Sequence, residues 1–387
     1  MPPKLSSRTK DLSPFMVMEV LERALYLEGE GKSIIHMEVG EPDFKTPDII
    51  VSAMKEALDS GAFKYTHSLG DPSLREALSR HYKERYGLDI DPGRFFVTPG
   101  TSVGLTLLMG ALLNPGDKVI ISNPHYACYP NFLRFFSGVP LYQDVLEKDG
   151  FRYDPSLLKN LIKDNSPVKA IMINSPANPT GAVMEPWRLK EIASLGVFII
   201  ADEIYHGLNY SKERDHSVLE YTDDAVVVGG FSKAYAMTGW RVGYLVVPHA
   251  LSRTIQIISQ NFLISTNAAC QKAALVALDK AWPEVLKMRE IFNERRLRLL
   301  SGLKSLGLTV MVEPTGAFYV LAKASHISPD SRSLSFRILE DCGVALTPGV
   351  DFGSGAEGFL RFSYATSLEN IEEGIKRLSC FFQTLKD

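Results

Sequence analysis

Two periods run through the 387-residue chain. Short apolar, β-branched runs at 34–38, 95–98, 118–122, 139–142, 170–174, 197–201, 225–228 and 242–247 read as buried strands. Between them, apolar residues three and four apart predict helices over 15–28, 47–60, 73–86, 103–113, 155–163 and 187–195. The expected apolar face of the helix over 47–60 carries Ile49, Ile50, Met54 and Leu58. Strands alternating with helices at this spacing predict an α/β domain with a mostly parallel sheet flanked by helices. The stretch 255–278 reads as helical, broken near Ser265-Thr266-Asn267. A long amphipathic helix over 283–306 follows, with Leu286, Ile291, Leu297, Leu300 and Leu303 on its apolar side. It leads into a smaller α+β part. There, strands are predicted at 308–312, 318–321, 344–346 and 359–365, and helices at 331–342 and 368–385.

Composition narrows the class. Hydrophobic residues make up 45% and charged residues 22%, ordinary for a globular enzyme with a sizeable core. A net charge of −3 gives no electrostatic case for nucleic acid or an anionic membrane. No apolar run approaches a membrane span, and the first residues lack the apolar core of a signal peptide. Cys128, Cys270, Cys342 and Cys380 are scattered without metal-type pairing. No metal site is expected, and reduced thiols in the cytoplasm are the natural reading.

The chemistry gathers at strand ends. Ligands of open α/β sheets bind outside the carboxyl ends of the strands. Asn178, Asp202 and Lys233 each lie just past such an end, so they converge on one crevice. Pro99-Gly100-Thr101-Ser102 joins a strand to a helix, whose free N–H groups and dipole make an anion site; equally, Thr101 or Ser102 is simply its cap. Asp202 ends an apolar strand, as a buried carboxylate or a turn residue. Arg361 lies on a strand that is otherwise apolar. Burying it unpaired is costly, so it has either a structural partner or a bound anion.

The stretch from Gly229 to Tyr244, GGFSKAYAMTGWRVGY, organises the rest. Gly229 and Gly230 break one buried strand and allow close backbone approach. Lys233, with the Ser232 hydroxyl beside it, and Arg241 then sit on tight turns between two strands. This suits a lysine that condenses with an aldehyde and a cation that holds a phosphate. It is not a nucleotide phosphate loop, which needs Gly-x-x-x-x-Gly-Lys-Ser/Thr.

Ser-Lys followed by Gly-x-Arg, with the arginine eight places after the lysine (241 − 233), resembles the cofactor-lysine signature of class I/II aminotransferases. These enzymes use pyridoxal 5′-phosphate. The resemblance extends from Gly40 to Arg361 with the elements in family order. It implies a fold type I α/β large domain and a small domain drawn from both chain ends. The expected division is an arm and part of the small domain over 1–45, a cofactor-binding domain over 46–280, and the rest of the small domain over 281–387.

The implied roles follow residue by residue. Lys233 forms the imine with the cofactor and shuttles the proton between the substrate's α-carbon and the cofactor. Asp202 keeps the pyridine nitrogen protonated. Asn178 and Tyr205 reach the 3′ oxygen, and Tyr126 stacks on the ring. Gly100, Thr101, Ser102, Ser232 and Arg241 hold the phosphate. Tyr65, otherwise a packing residue, reaches the phosphate site of a neighbouring subunit and implies a homodimer with shared active sites. Gly40, in a Gly-Glu-Pro-Asp string that alone reads as an ordinary turn, gives backbone access to the substrate carboxylate. Arg361, with Asn178, clamps that carboxylate. One departure stands out. Gly230 occupies a position where the family commonly has a phosphate-binding serine, which implies weaker cofactor binding or a water in its place. His125 is expected to be structural.

The implied activity is amino-group transfer between an α-amino acid and a 2-oxo acid, with 2-oxoglutarate as the expected acceptor. A carbon–sulfur β-lyase would use the same residues. A cofactor-sensing regulator is disfavoured, since no helix-turn-helix or basic stretch precedes Gly40. Ser102 stands where one acidic-substrate branch has a lysine, while Phe15, Phe262 and Tyr319 offer apolar walls. A neutral or aromatic donor is therefore expected, unless a cation elsewhere, such as Arg8, substitutes for that lysine.

Overall fold

A computed structural model describes residues 3–385. Its main element is a seven-stranded sheet built from β2 to β8. In chain order, β1 is Ile35–His36, β2 Phe95–Thr98, β3 Lys118–Asn123 and β4 Val139–Asp144; then come β5 Ala170–Asn174, β6 Ile199–Asp202, β7 Ala225–Gly230 and β8 Gly243–Val246. The order across the sheet is β2-β8-β7-β6-β5-β3-β4. β7, β6, β5, β3 and β4 are parallel neighbours. β8 runs antiparallel to both β2 and β7. The mostly parallel α/β sheet is thus observed, with one reversed strand that its apolar pattern does not reveal. Both faces are covered, and every residue of β2 and β6 is buried. That is why these strands read as unbroken apolar runs.

The chain ends meet beside this sheet. β9 is Tyr319–Lys323, β10 Val344–Ala345, β11 Thr347–Pro348 and β12 Phe359–Ser363. β1 pairs in parallel with β10, joining the start of the chain to its end. β11, β12 and β9 form a second antiparallel sheet. The expected strand at 308–312 does not form; only an isolated bridge between Thr309 and Lys323 remains.

Two helices bury different faces from those expected. In Asp48–Asp59 the core side is Ile50, Ala53 and Ala57, while Ile49 and Leu58 are exposed. In Trp282–Ser305 the buried stripe runs through Val285, Met288, Phe292, Arg295, Leu299 and Leu303, and Ile291 and Leu297 face outwards. Arg295 hides this stripe from a hydrophobicity reading. Its guanidinium is buried with both terminal nitrogens donating to the Asp43 carboxylate, at 2.7 and 2.9 Å. That fork ties the long helix to the Gly40–Phe44 loop. The region read as one broken helix is two, His249–Phe262 and Ala268–Lys280, the second capped by Asn267. A short helix, Tyr129–Phe135, was not anticipated.

Candidate active site

The carboxyl ends of β5, β6 and β7 open into a cleft of about 270 Å³. Asp202 is the last residue of β6, Lys233 lies three places beyond β7, and Asn178 four beyond β5. All three line the cleft, with Gly40, Thr101, Ser102, Tyr126, Tyr205, Ser232, Arg241 and Arg361. Gly100 lies behind this lining, against Arg241. Tyr65 is the exception: it is exposed and lines no part of this cleft.

Lys233 donates to the Gly40 carbonyl at 2.6 Å, which ties the amine to the loop above it. Burial pulls its ammonium down to about 8; the Glu41 carboxylate opposes this, and the Arg361 and Arg241 charges add to it. A lysine near neutrality can act as a nucleophile and a base. Asp202 is buried, and desolvation raises its carboxyl to about 6. The Tyr129 hydroxyl, donating at 2.8 Å, and the Ile204 N–H at 3.2 Å hold it ionised. Adjacent Glu203 turns away and accepts from the Ser217 hydroxyl and the Val218 N–H. His125, expected to be structural, has a ring nitrogen 3.0 Å from the Tyr126 carbonyl, and burial lowers it to about 4.

The anion end is more open than the sequence suggested. The helix runs Thr101–Leu112 and its cap is Gly100, with no side-chain cap bond. Thr101 and Ser102 are therefore the first helical residues, and their N–H groups are free to meet an anion. Gly100 has φ of +81°, and a Cβ there would lie 2.4 Å from Arg241 Nη2. The glycine is thus what lets the guanidinium reach the helix N-terminus. Arg241 itself takes φ of +55° and donates to the Thr238 carbonyl at 2.8 Å. Gly230 also has a steric reason. A Cβ there would lie 3.0 Å from Ile204 Cδ1 and 3.3 Å from the Thr101 methyl. A side chain there would fit only if those groups moved by a few tenths of an ångström.

At the opposite end Arg361 is 2% exposed. It donates to Asn178 Oδ1 at 2.9 Å, to Thr347 Oγ1 at 3.0 Å and to the Glu38 carbonyl. The Tyr319 and Phe352 rings lie 4.4 and 4.8 Å from it. Every protein partner is neutral. Among the described residues no carboxylate pairs with it, and its Nε–H has no acceptor. The structural ion pair considered from sequence is therefore not formed.

A lysine with a lowered pKa, a buried carboxylate, a phosphate-type helix terminus and an unpaired buried arginine share one cleft. The model of the family described as aminotransferase class I and II matches residues 32–378. The chain belongs to that family. It is an aminotransferase. It is 39% identical over 382 residues to the (5-formylfuran-3-yl)methyl phosphate transaminase of Methanocaldococcus jannaschii, covering 97% of this chain and 99% of that protein. It is 38% identical over 384 residues to the aspartate/prephenate aminotransferase of Thermus thermophilus, covering 97% and 98%. A solved aspartate aminotransferase from Thermus thermophilus with maleate superposes with a TM-score of 0.93 at 37% identity, covering 98% and 99% of the two chains. Among the described residues of the aminotransferase, no helix is long and apolar enough to cross a membrane.

Five contributors to the site escaped the sequence reading. Tyr129, the partner of Asp202, opens the unanticipated short helix. Glu38 and Thr347 reach Arg361 from remote segments, one through a backbone carbonyl. Glu41 and Thr238, hydrogen-bonded to each other, close the rim beside Lys233.

Proposed function

We propose that the cleft holds pyridoxal 5′-phosphate and transfers amino groups from neutral or aromatic α-amino acids to 2-oxoglutarate. The observation that carries this reading is Arg361, a buried guanidinium with a free N–H and no carboxylate partner, in the same cleft as Lys233. Every α-amino acid and 2-oxo acid brings the carboxylate it lacks. The residues present fit the cofactor. The free amides of Thr101 and Ser102, the Ser102 and Ser232 hydroxyls, and Arg241 with Gly100 behind it suit a phosphate. Tyr126 would stack on the ring, and Asn178 and Tyr205 would meet its 3′ oxygen. Bound there, the cofactor would supply an electron sink for the pair left when the α-proton departs.

The chain's own residues do the rest. Arg361, with Asn178 beside it and Gly40 above, grips the α-carboxylate and fixes which face of the α-carbon meets Lys233. The Lys233 amine takes the α-proton from the donor in one half of the cycle and gives a proton to the α-carbon derived from the 2-oxo acid in the other. Asp202, ionised at neutral pH, holds a proton on the ring nitrogen. The neutral-donor preference rests on the walls. Phe15, Val17, Met18 and Leu105 are apolar, and beyond Lys233, Arg241 and Arg361 the cleft has no further lysine or arginine among the described residues. Tyr65, fully outside its own cleft, serves that of a second copy, so the enzyme works as a homodimer. Four free cysteines favour the cytoplasm.

The test is spectroscopic. The purified protein is loaded with cofactor and given single amino acids without any oxo acid. Loss of the visible band, and its return with 2-oxoglutarate, is the expected result and identifies the donor. Pyruvate accumulating while the band persists would refute transfer in favour of β-elimination. Aspartate exceeding every neutral donor in kcat/KM would refute the substrate class alone.

A further inference from the structure

Tyr319 touches three parts of the site at once. It opens β9, opposite Ser363 of β12, and is 1% exposed. Its hydroxyl shares a 2.9 Å hydrogen bond with the Tyr205 hydroxyl. Its ring lies 4.4 Å from the Arg361 guanidinium carbon. Its hydroxyl also fills the space beside Gly40: a Cβ on that glycine would lie 1.8 Å from Tyr319 Oη. The glycine's carbonyl, in turn, accepts from Lys233 at 2.6 Å. From sequence Tyr319 was only an apolar wall.

We infer that Tyr319 is a positioning residue that registers the two halves of the site: its hydroxyl orients Tyr205, and its ring sets the plane of Arg361. The inference rests on the roles proposed above for Tyr205 and Arg361. The physical reason is division of labour within one rigid side chain. A phenol hydroxyl has one hydrogen to donate and one in-plane direction in which it accepts well. With one direction taken by Tyr319, that of Tyr205 is left with a defined remaining direction towards the cleft. Arg361 is likewise restricted, because a ring against a guanidinium face is attractive and blocks tilting. Gly40 is then required less for flexibility than for room. Any side chain there would expel the Tyr319 hydroxyl and loosen Tyr205, Arg361 and the Lys233 tether together.

Two variants separate the hydroxyl from the ring. Tyr319→Phe removes only the hydroxyl, and Tyr319→Leu removes both. The readouts are the pH midpoint of the bound cofactor's visible absorbance and the affinity of the cofactor-loaded protein for 2-oxoglutarate, measured calorimetrically without an amino donor. For Tyr319→Phe the expected result is a shifted absorbance midpoint, as in Tyr205→Phe, with 2-oxoglutarate affinity within about twofold of the parent. For Tyr319→Leu both readouts move, with affinity falling roughly fivefold or more. Gly40→Ala should cost less thermal stability in the Tyr319→Phe background than in the parent. An unmoved absorbance midpoint in Tyr319→Phe overturns the inference, as do equal effects of the two variants on both readouts. Arg361→Ala serves as control. Should it leave 2-oxoglutarate affinity unchanged, the underlying reading of Arg361 has failed, and the inference falls with it.

Discussion

Removing one hydroxyl should loosen the hold on the ring-facing carboxylate. Tyr129 donates to Asp202 Oδ2 at 2.8 Å, and both groups are buried. Among the described residues the only other hydrogen bond to that carboxylate is from the Ile204 N–H at 3.2 Å. Burial raises Asp202 to about 6, and the Tyr129 hydrogen bond is the largest influence opposing it. A hydrogen bond to a charged group contributes about 1.5–3 kcal/mol, and one pKa unit corresponds to about 1.4 kcal/mol. Tyr129→Phe should therefore raise Asp202 by roughly one to two units. At pH about 7.5 the ionised fraction would fall from roughly 97% to between about three-quarters and one-quarter.

The direct assay is carboxyl carbon NMR of aspartate-labelled, cofactor-free protein, with Asp202→Asn to assign the signal. Its midpoint should move upwards in Tyr129→Phe. In the loaded enzyme, turnover at neutral pH should fall and recover as pH rises, because higher pH restores the carboxylate. Stability should fall by no more than the about 1.5–3 kcal/mol of that hydrogen bond, since the Tyr129 ring stays packed against Tyr126 at 5.2 Å. A midpoint that stays put or moves downwards would refute the assigned role of Tyr129.

Arg361→Ala should lower kcat/KM for every amino acid by roughly 30-fold to several thousandfold, the usual effect of truncating one side of a buried charge contact worth about 2–5 kcal/mol. Steady-state kinetics across neutral and acidic donors checks this, and a loss confined to one donor contradicts it. Gly100→Ala places a methyl 2.4 Å from Arg241 Nη2 on a backbone with φ of +81°, so the guanidinium must leave the helix N-terminus. Cofactor affinity by equilibrium dialysis should fall roughly 10- to 150-fold, the equivalent of one charge-assisted hydrogen bond of about 1.5–3 kcal/mol. Burial raises Glu203 from 4.5 to about 7, so the folded protein binds the extra proton between those values and loses stability as pH rises through that window. Glu203→Gln should flatten that part of the curve of denaturant midpoint against pH, and an unchanged slope would show that Glu203 does not titrate there.

What the sequence made legible follows from what local patterns encode. Lys233, Asp202 and Asn178 could be placed because each follows a recognisable buried strand, and parallel strands deliver their ends to one edge. Direction is not encoded in an apolar run, so the reversal of β8 was invisible. Tyr129 was missed because Tyr129–Phe135 is a single short helix, with Pro130 in its first turn, too brief for a period to emerge. The stripe of Trp282–Ser305 was misplaced because one of its buried members is Arg295, whose partner, Asp43, lies 252 residues away. The helix start at Thr101 depended on Gly100 serving as the cap, where the adjacent hydroxyls were the more obvious choice.

Arg361 shows why the carboxylate end could be guessed from sequence but not built from it. Its acceptors come from residue 38 just after β1, residue 178 after β5 and residue 347 in β11, and a ring from β9 covers it. These belong to the main sheet and to segments from both chain ends. The guanidinium is therefore desolvated only when those segments close on the sheet. All three acceptors are neutral, so closure leaves a buried positive charge with no directly paired carboxylate among the described residues, a costly state. An anion bound there offsets that cost. A carboxylate close to Arg361 as a permanent partner would make the protein more stable and the site less useful, because it would compete with substrate for the same donors. The neutral cage keeps Arg361 in place while leaving its charge for the ligand.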